Sequence, residues 1–103
     1  MPERRWGTAL AATYGVAVEL ADLGCWGSTT LVAEYDPTGP VIRVNERAIP
    51  SDSPRIAREH VERAIAHELY HHREAIGEVR RLHGREERER AADAFADAVL
   101  EAR

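Results

Sequence analysis

The sequence predicts a small α+β domain: an N-terminal β-sheet of about three strands with a hairpin, followed by two packed helices. Three observations carry this expectation. Up to Asn45 the chain holds glycines and β-branched runs, whereas from Pro54 onward Ala, Glu, Arg and Leu dominate. A proline and glycine cluster, Asp36-Pro37-Thr38-Gly39-Pro40, separates two β-forming runs. Two stretches of the second half place apolar residues at helical intervals. At 103 residues the length fits one domain spanning residues 1–103, with no internal repeat and no low-complexity segment.

Taken in order, Pro2 to Thr13 reads as a short opening helix, and Val16 to Leu20 as a strand with Val16 and Val18 on one face. Ser28 to Tyr35 and Val41 to Asn45 read as the two arms of the hairpin. Pro50-Ser51-Asp52-Ser53-Pro54 then breaks the chain, offering Ser53 as an N-cap and Pro54 at the first helical position. The long helix that starts there carries Ala57, Val61, Ala64, Ile65, Leu69 and Ile76 at three- and four-residue steps, with Gly77 as its terminator. A linker from Gly77 to Gly84 leads to a last helix built on Ala92, Phe95, Ala96, Val99 and Leu100.

Composition removes several functional classes. The single cysteine, Cys25, closes no intrachain disulfide and excludes a Cys-rich zinc ribbon, which points to a reducing, cytoplasmic setting. The stretch Ala9 to Val18 is interrupted by Thr13, Tyr14 and Gly15 and lacks the pattern of a signal peptide. No apolar run approaches the roughly 20 residues of a membrane span. A formal charge of -4 argues against a nucleic-acid partner. Arginines alternating with glutamates, as in Arg85, Glu86, Glu87, Arg88, Glu89 and Arg90, read as a solvated helix face.

Within the long helix stands His67-Glu68-Leu69-Tyr70-His71, an H-E-x-x-H. Residues four apart rise about 6 Å along a helix and share a face, so both imidazoles can converge on one zinc ion. Glu68 lies beside them and can take a proton from a zinc-bound water without binding the metal. Small Ala64, one turn earlier, leaves room over the ion. A catalytic zinc needs a third protein ligand. Glu74 and Glu78 lie about 10 and 16 Å along the same axis from His67, too far for one ion. The metzincin pattern fails as well, because Glu74 and Gly77 stand where it requires glycine and histidine.

The last helix offers Glu89 and Asp93. Glu89 falls roughly 50° from the centre of the apolar face, at the edge of a buried stripe where an unpaired charge is costly, and a metal is its natural partner. Asp93, one turn on, can receive the second N–H of a ligating histidine and fix its tautomer. Two readings compete for Glu89: an ion pair with Arg85 or Arg88, and replacement by Glu86 as the ligand. Trp6 and Trp26 read as core or rim aromatics, and Cys25 as a loop cysteine, with an inhibitory thiolate on the zinc as its alternative.

An H-E-x-x-H followed by E-x-x-x-D resembles the gluzincin arrangement of thermolysin, and the short chain is similar to the stripped-down minigluzincins. The run Glu89-Arg90-Ala91-Ala92-Asp93-Ala94-Phe95-Ala96 also resembles a stretch of ImmA/IrrE-type metallopeptidases. The resemblance covers both C-terminal helices and implies a minimal zincin-like fold. In it His67, His71 and Glu89 bind Zn2+, Glu68 is the general base and Asp93 orients a histidine. No downstream residue matches the His or Tyr that larger gluzincins turn toward the oxyanion, leaving Tyr70, His72 and His83 as stand-ins.

The expected function is therefore hydrolysis of a peptide or protein substrate by a zinc metallopeptidase, in latent or active form. An edge strand of the sheet would align that substrate by β-augmentation. The alternatives are a non-catalytic zinc-binding regulatory or protein-interaction module, and a helical partner-binding domain without metal.

Overall fold

The computed structural model describes residues 6–25 and 31–101. Trp26 and the first residues of the expected strand from Ser28 lie outside the described residues, as do Pro2 to Arg5 of the expected opening helix. The order of elements is α1 (Trp6–Tyr14), β1 (Ala17–Ala21), β2 (Ala33–Asp36), β3 (Val41–Asn45), a 3₁₀ turn (Glu46–Ala48), α2 (Pro54–Ala75) and α3 (Arg85–Glu101). The expected α+β architecture is present, with three strands, the hairpin and the two C-terminal helices in their places.

β3 lies at the centre of the sheet, antiparallel to β2 across the hairpin and parallel to β1. Its position explains its composition. Ile42 and Val44 are fully buried against the helices, whereas Arg43 on the opposite face meets Glu19, Glu34 and Asp36 of its neighbours. β1 is less covered than its alternation suggests. Val16 is buried just before the strand, but Val18 and Leu20 are 36% and 56% exposed, since β1 is an edge strand that the helices only partly overlie. Buried Asn45 ties the end of β3 to its surroundings: its Oδ1 accepts from the Leu23 and Arg47 amides, and its Nδ2 donates to the Gly24 and Leu31 carbonyls.

α2 begins as its sequence dictates, with the Ser53 hydroxyl accepting from the Ile56 amide and Pro54 in the first turn. It ends at Gly77, whose φ of +77° lets the following Glu78 amide reach back to the Arg73 carbonyl. Ile65 and Leu69 are the anchors of the core under the sheet. Ile76, expected on the same stripe, is 55% exposed because it caps the helix where the chain turns away.

α1 docks on α2 through a close approach and a polar clamp. At Gly7 a Cβ would sit 2.5 Å from the Glu62 carbonyl oxygen, so only glycine permits this spacing. The buried Glu62 carboxylate accepts from the Thr8 amide at 2.9 Å and from its hydroxyl at 2.6 Å, satisfying an orphan donor at the start of α1. α3 lies along α2 with Ala92 and Ala96 fully buried at the contact, and Phe95 half-buried beneath the Arg73 guanidinium.

Candidate metal centre

Three cross-pairs show that α2 and α3 run antiparallel: Arg63 with Asp97, His67 with Asp93 and His71 with Glu89. On α2, His60, Ala64, His67 and His71 follow at intervals of four, three and four, which stacks them on one stripe. On α3, Arg85, Glu89 and Asp93 follow at steps of four and form the facing stripe. Both line a groove of about 840 Å³, whose remaining wall comes from the β2 side, including Leu31, Val32 and Tyr35.

At the middle of the groove three donor atoms converge. His67 Nε2 is 3.1 Å and His71 Nε2 is 3.0 Å from the same Glu89 oxygen, Oε2. The ligand atoms of this trio all lie within 4.8 Å of one another. Each imidazole is also held from behind. His67 Nδ1 is 2.8 Å from Asp93 Oδ1, and His71 Nδ1 is 2.8 Å from Glu74 Oε1. A carboxylate behind Nδ1 holds the ring proton there and turns the Nε2 lone pair toward the centre. With a cation at the centre, both Nε2 atoms and the Glu89 oxygen would turn lone pairs toward it. Two imidazoles and one carboxylate are a donor set that suits zinc and leaves a fourth position open, so the residues fit the ion.

Charge follows the same geometry. Burial works to raise the Glu89 carboxyl, but His67 and His71 prevail and hold it below the ordinary carboxylate range. Glu68, whose side chain is 14% exposed, is pushed above that range by burial, against the pull of His67 and His71. Its Oε2 is 3.9 Å from His67 Nε2, beside the trio and too far to share a hydrogen bond.

The expected ligands, base and orienting residue are thus brought to one place: His67, His71 and Glu89 at the centre, Glu68 at its flank and Asp93 behind His67. The competing readings of Glu89 find no counterpart, because Arg88 pairs with Glu74, Arg85 pairs with no described residue, and Glu86 is exposed outside the groove. Glu78, as expected, is not near the trio; it accepts from the Tyr14 hydroxyl and Arg73. Cys25 is exposed and takes no part in the donor trio.

The three oxyanion stand-ins are not brought to the groove. Tyr70 packs edge-on against His71 and at a tilt against Phe95, His72 is buried between Tyr14 and Tyr35, and His83 is exposed. The groove contains Tyr35 and His60 instead. The Tyr35 hydroxyl is 2.8 Å from His72 Nδ1, and His60 has a buried Nε2 without a hydrogen-bond partner.

Glu74 is the residue whose role went unread. Weighed only as a ligand, it is a buried acceptor that fixes His71 and is itself gripped by two bonds from Arg88, at 3.1 and 3.0 Å. The signal was present: residues three apart on a helix are neighbours, so Glu74 was placed to meet His71.

Compared with family models, curated proteins and solved structures, the chain matches none. Among the described residues no helix is long and apolar enough to cross a membrane.

Proposed function

We propose that the chain is a zinc-dependent metallopeptidase of gluzincin type, with His67, His71 and Glu89 as ligands. The observation that carries this reading is the convergence of two imidazole Nε2 atoms on one Glu89 oxygen, each ring being fixed through Nδ1 by a carboxylate. Bound there, zinc would act as a Lewis acid and bring the pKa of a water toward about 7.

The remaining chemistry belongs to the chain. Asp93 and Glu74 hold the two rings against rotation. Glu68 accepts a proton at its carboxylate from the attacking water and returns it to the departing amine, and its raised affinity for a proton suits that exchange. β2, the sheet's edge beside the groove, has no strand on its outer side among the described residues and offers that edge to an extended substrate.

The test is Glu68→Gln. The amide is nearly isosteric and the residue is no ligand, so zinc should stay at one per chain while peptide hydrolysis falls by about 10² or more. One observation favours the alternative, a non-catalytic zinc-binding regulatory or interaction module: Tyr70, His72 and His83 all lie off the groove. Full zinc with no Glu68-dependent cleavage across a broad peptide library would decide for that alternative.

A further inference from the structure

The groove has two chemically different ends. The antiparallel pairing of His71 with Glu89 and Arg63 with Asp97 puts Arg85 beyond His71, level with the end of α2, about 6 Å along α3 from Glu89. It is the one groove arginine that stays uncompensated. Arg88 is taken by Glu74 and Arg63 by Asp97, whereas Arg85 makes no ion pair with any described residue.

The opposite end is apolar. Tyr35 meets His72, and Glu34 lies within electrostatic reach of Glu68, so β2 runs in the same sense as α2. Leu31 and Val32 therefore fall toward Ala64 and His60, and they are 41% and 45% exposed. Two adjacent aliphatic side chains left open inside a groove call for an apolar occupant. An unpaired guanidinium calls for an anionic one.

Resting on the peptidase reading above, we propose that the substrate is an extended peptide carrying a bulky aliphatic side chain on one side of the scissile bond and an acidic side chain on the other. The aliphatic group seats on Leu31 and Val32, and the acid meets Arg85. From Arg85 to Ala64 and His60 the groove spans roughly 20 Å, taken at 1.5 Å per helical residue. That is about six residues of extended chain. Charge complementarity selects the acid over other side chains at the Arg85 end, where the only other groove cation is already bound.

Binding can be read apart from turnover. Zinc-loaded Glu68→Gln protein is titrated by fluorescence anisotropy with labelled peptides about ten residues long. Each carries a Leu and, about five residues away, Glu, Gln or Lys, with the two placed in either order. The Glu peptide should bind about threefold or more tightly than the Lys peptide, the scale of a half-exposed ion pair. Arg85→Glu should reverse that order. Arg85 is exposed and a glutamate is favourable in the first turn of a helix, so this variant keeps the fold. Equal binding of the three peptides, an order unchanged by Arg85→Glu, or no binding at all overturns the proposal. Glu68-dependent cleavage by the unaltered protein without charge preference leaves the peptidase reading standing and removes this one. A preference that Arg85→Glu reverses, without any turnover, keeps the groove assignment and removes the peptidase reading.

Discussion

Replacing Glu74 by Gln separates the orientation of a ligand from ligation itself. The carboxylate is almost wholly buried, with a side chain 3% exposed, and it joins His71 Nδ1 to the Arg88 guanidinium. Glutamine keeps one oxygen for His71 but removes the charge that Arg88 grips, and its amide hydrogens face the donors of Arg88. Loss of such an outer partner lowers metal affinity by about 10- to 100-fold, or about 1.4–2.7 kcal/mol. Without metal the variant should lose about 2 kcal/mol of stability, less than a fully buried pair would because the Arg88 side chain is 25% exposed. In a domain of this size that is roughly 10 °C in Tm.

A second handle on Glu74 is pH. The bidentate Arg88 bonds hold its carboxyl below the ordinary carboxylate range, with a further contribution from His71 that burial opposes. A group depressed on folding stabilises fully above its unfolded value, and that stabilisation vanishes as pH falls through the lower folded value. The acid limb of the apoprotein's stability curve should therefore be shallower in Glu74→Gln. Zinc affinity is read by competition with a chromophoric chelator, and apoprotein stability by thermal melts. Unchanged zinc affinity in Glu74→Gln would refute the orienting role. So would additive losses in a Glu74→Gln, His71→Ala double variant, because a partner of an absent ring has nothing left to orient.

Other outcomes rest on the same geometry. His67→Ala should abolish stoichiometric zinc and Glu89→Ala should weaken it severely, whereas Glu86→Ala should leave it intact; metal analysis of chelator-free preparations checks all three. Because the donors come from two helices, zinc at 100 times its Kd should add about 2.7 kcal/mol, and an apoprotein melting at the same temperature as the zinc form would disprove the shared site. Gly7→Ala should destabilise by about 1–3 kcal/mol in chemical denaturation, since the added methyl meets the Glu62 carbonyl.

Much of this was legible in the residues because it depends on short-range rules. Ser53-Pro54 and Gly77 mark the ends of α2 by local backbone chemistry, and the Asp36–Pro40 cluster marks the hairpin. The spacing of His67, His71, Glu89 and Asp93 is a statement about helical faces, and it needed only that the two helices pack face to face. What escaped depends on the order in which elements assemble. No local signal placed β3 between β1 and β2, so the exposure of Val18 and Leu20 could not be read from alternation. Glu62 looks like any other glutamate of α2 until α1 lands on it. Tyr35 joins the groove only because β2 runs alongside α2, which no periodicity records, whereas His60 shares the helical stripe of Ala64, His67 and His71.

The trio is shared unequally between the helices, and that bears on how quickly an ion could come and go. His71 is braced by Glu74 from its own helix, and Glu74 is gripped in turn by Arg88 of α3. His67 takes its brace from Asp93, and the third donor is Glu89, both on α3. α3 is joined to α2 by the short turn that begins at Gly77. Peeling α3 away would remove one donor, unlock His67 and take Arg88 from the carboxylate behind His71 in a single movement. Metal exchange at such a site would then follow the breathing of the last helix, with the chain after Gly77 setting its pace.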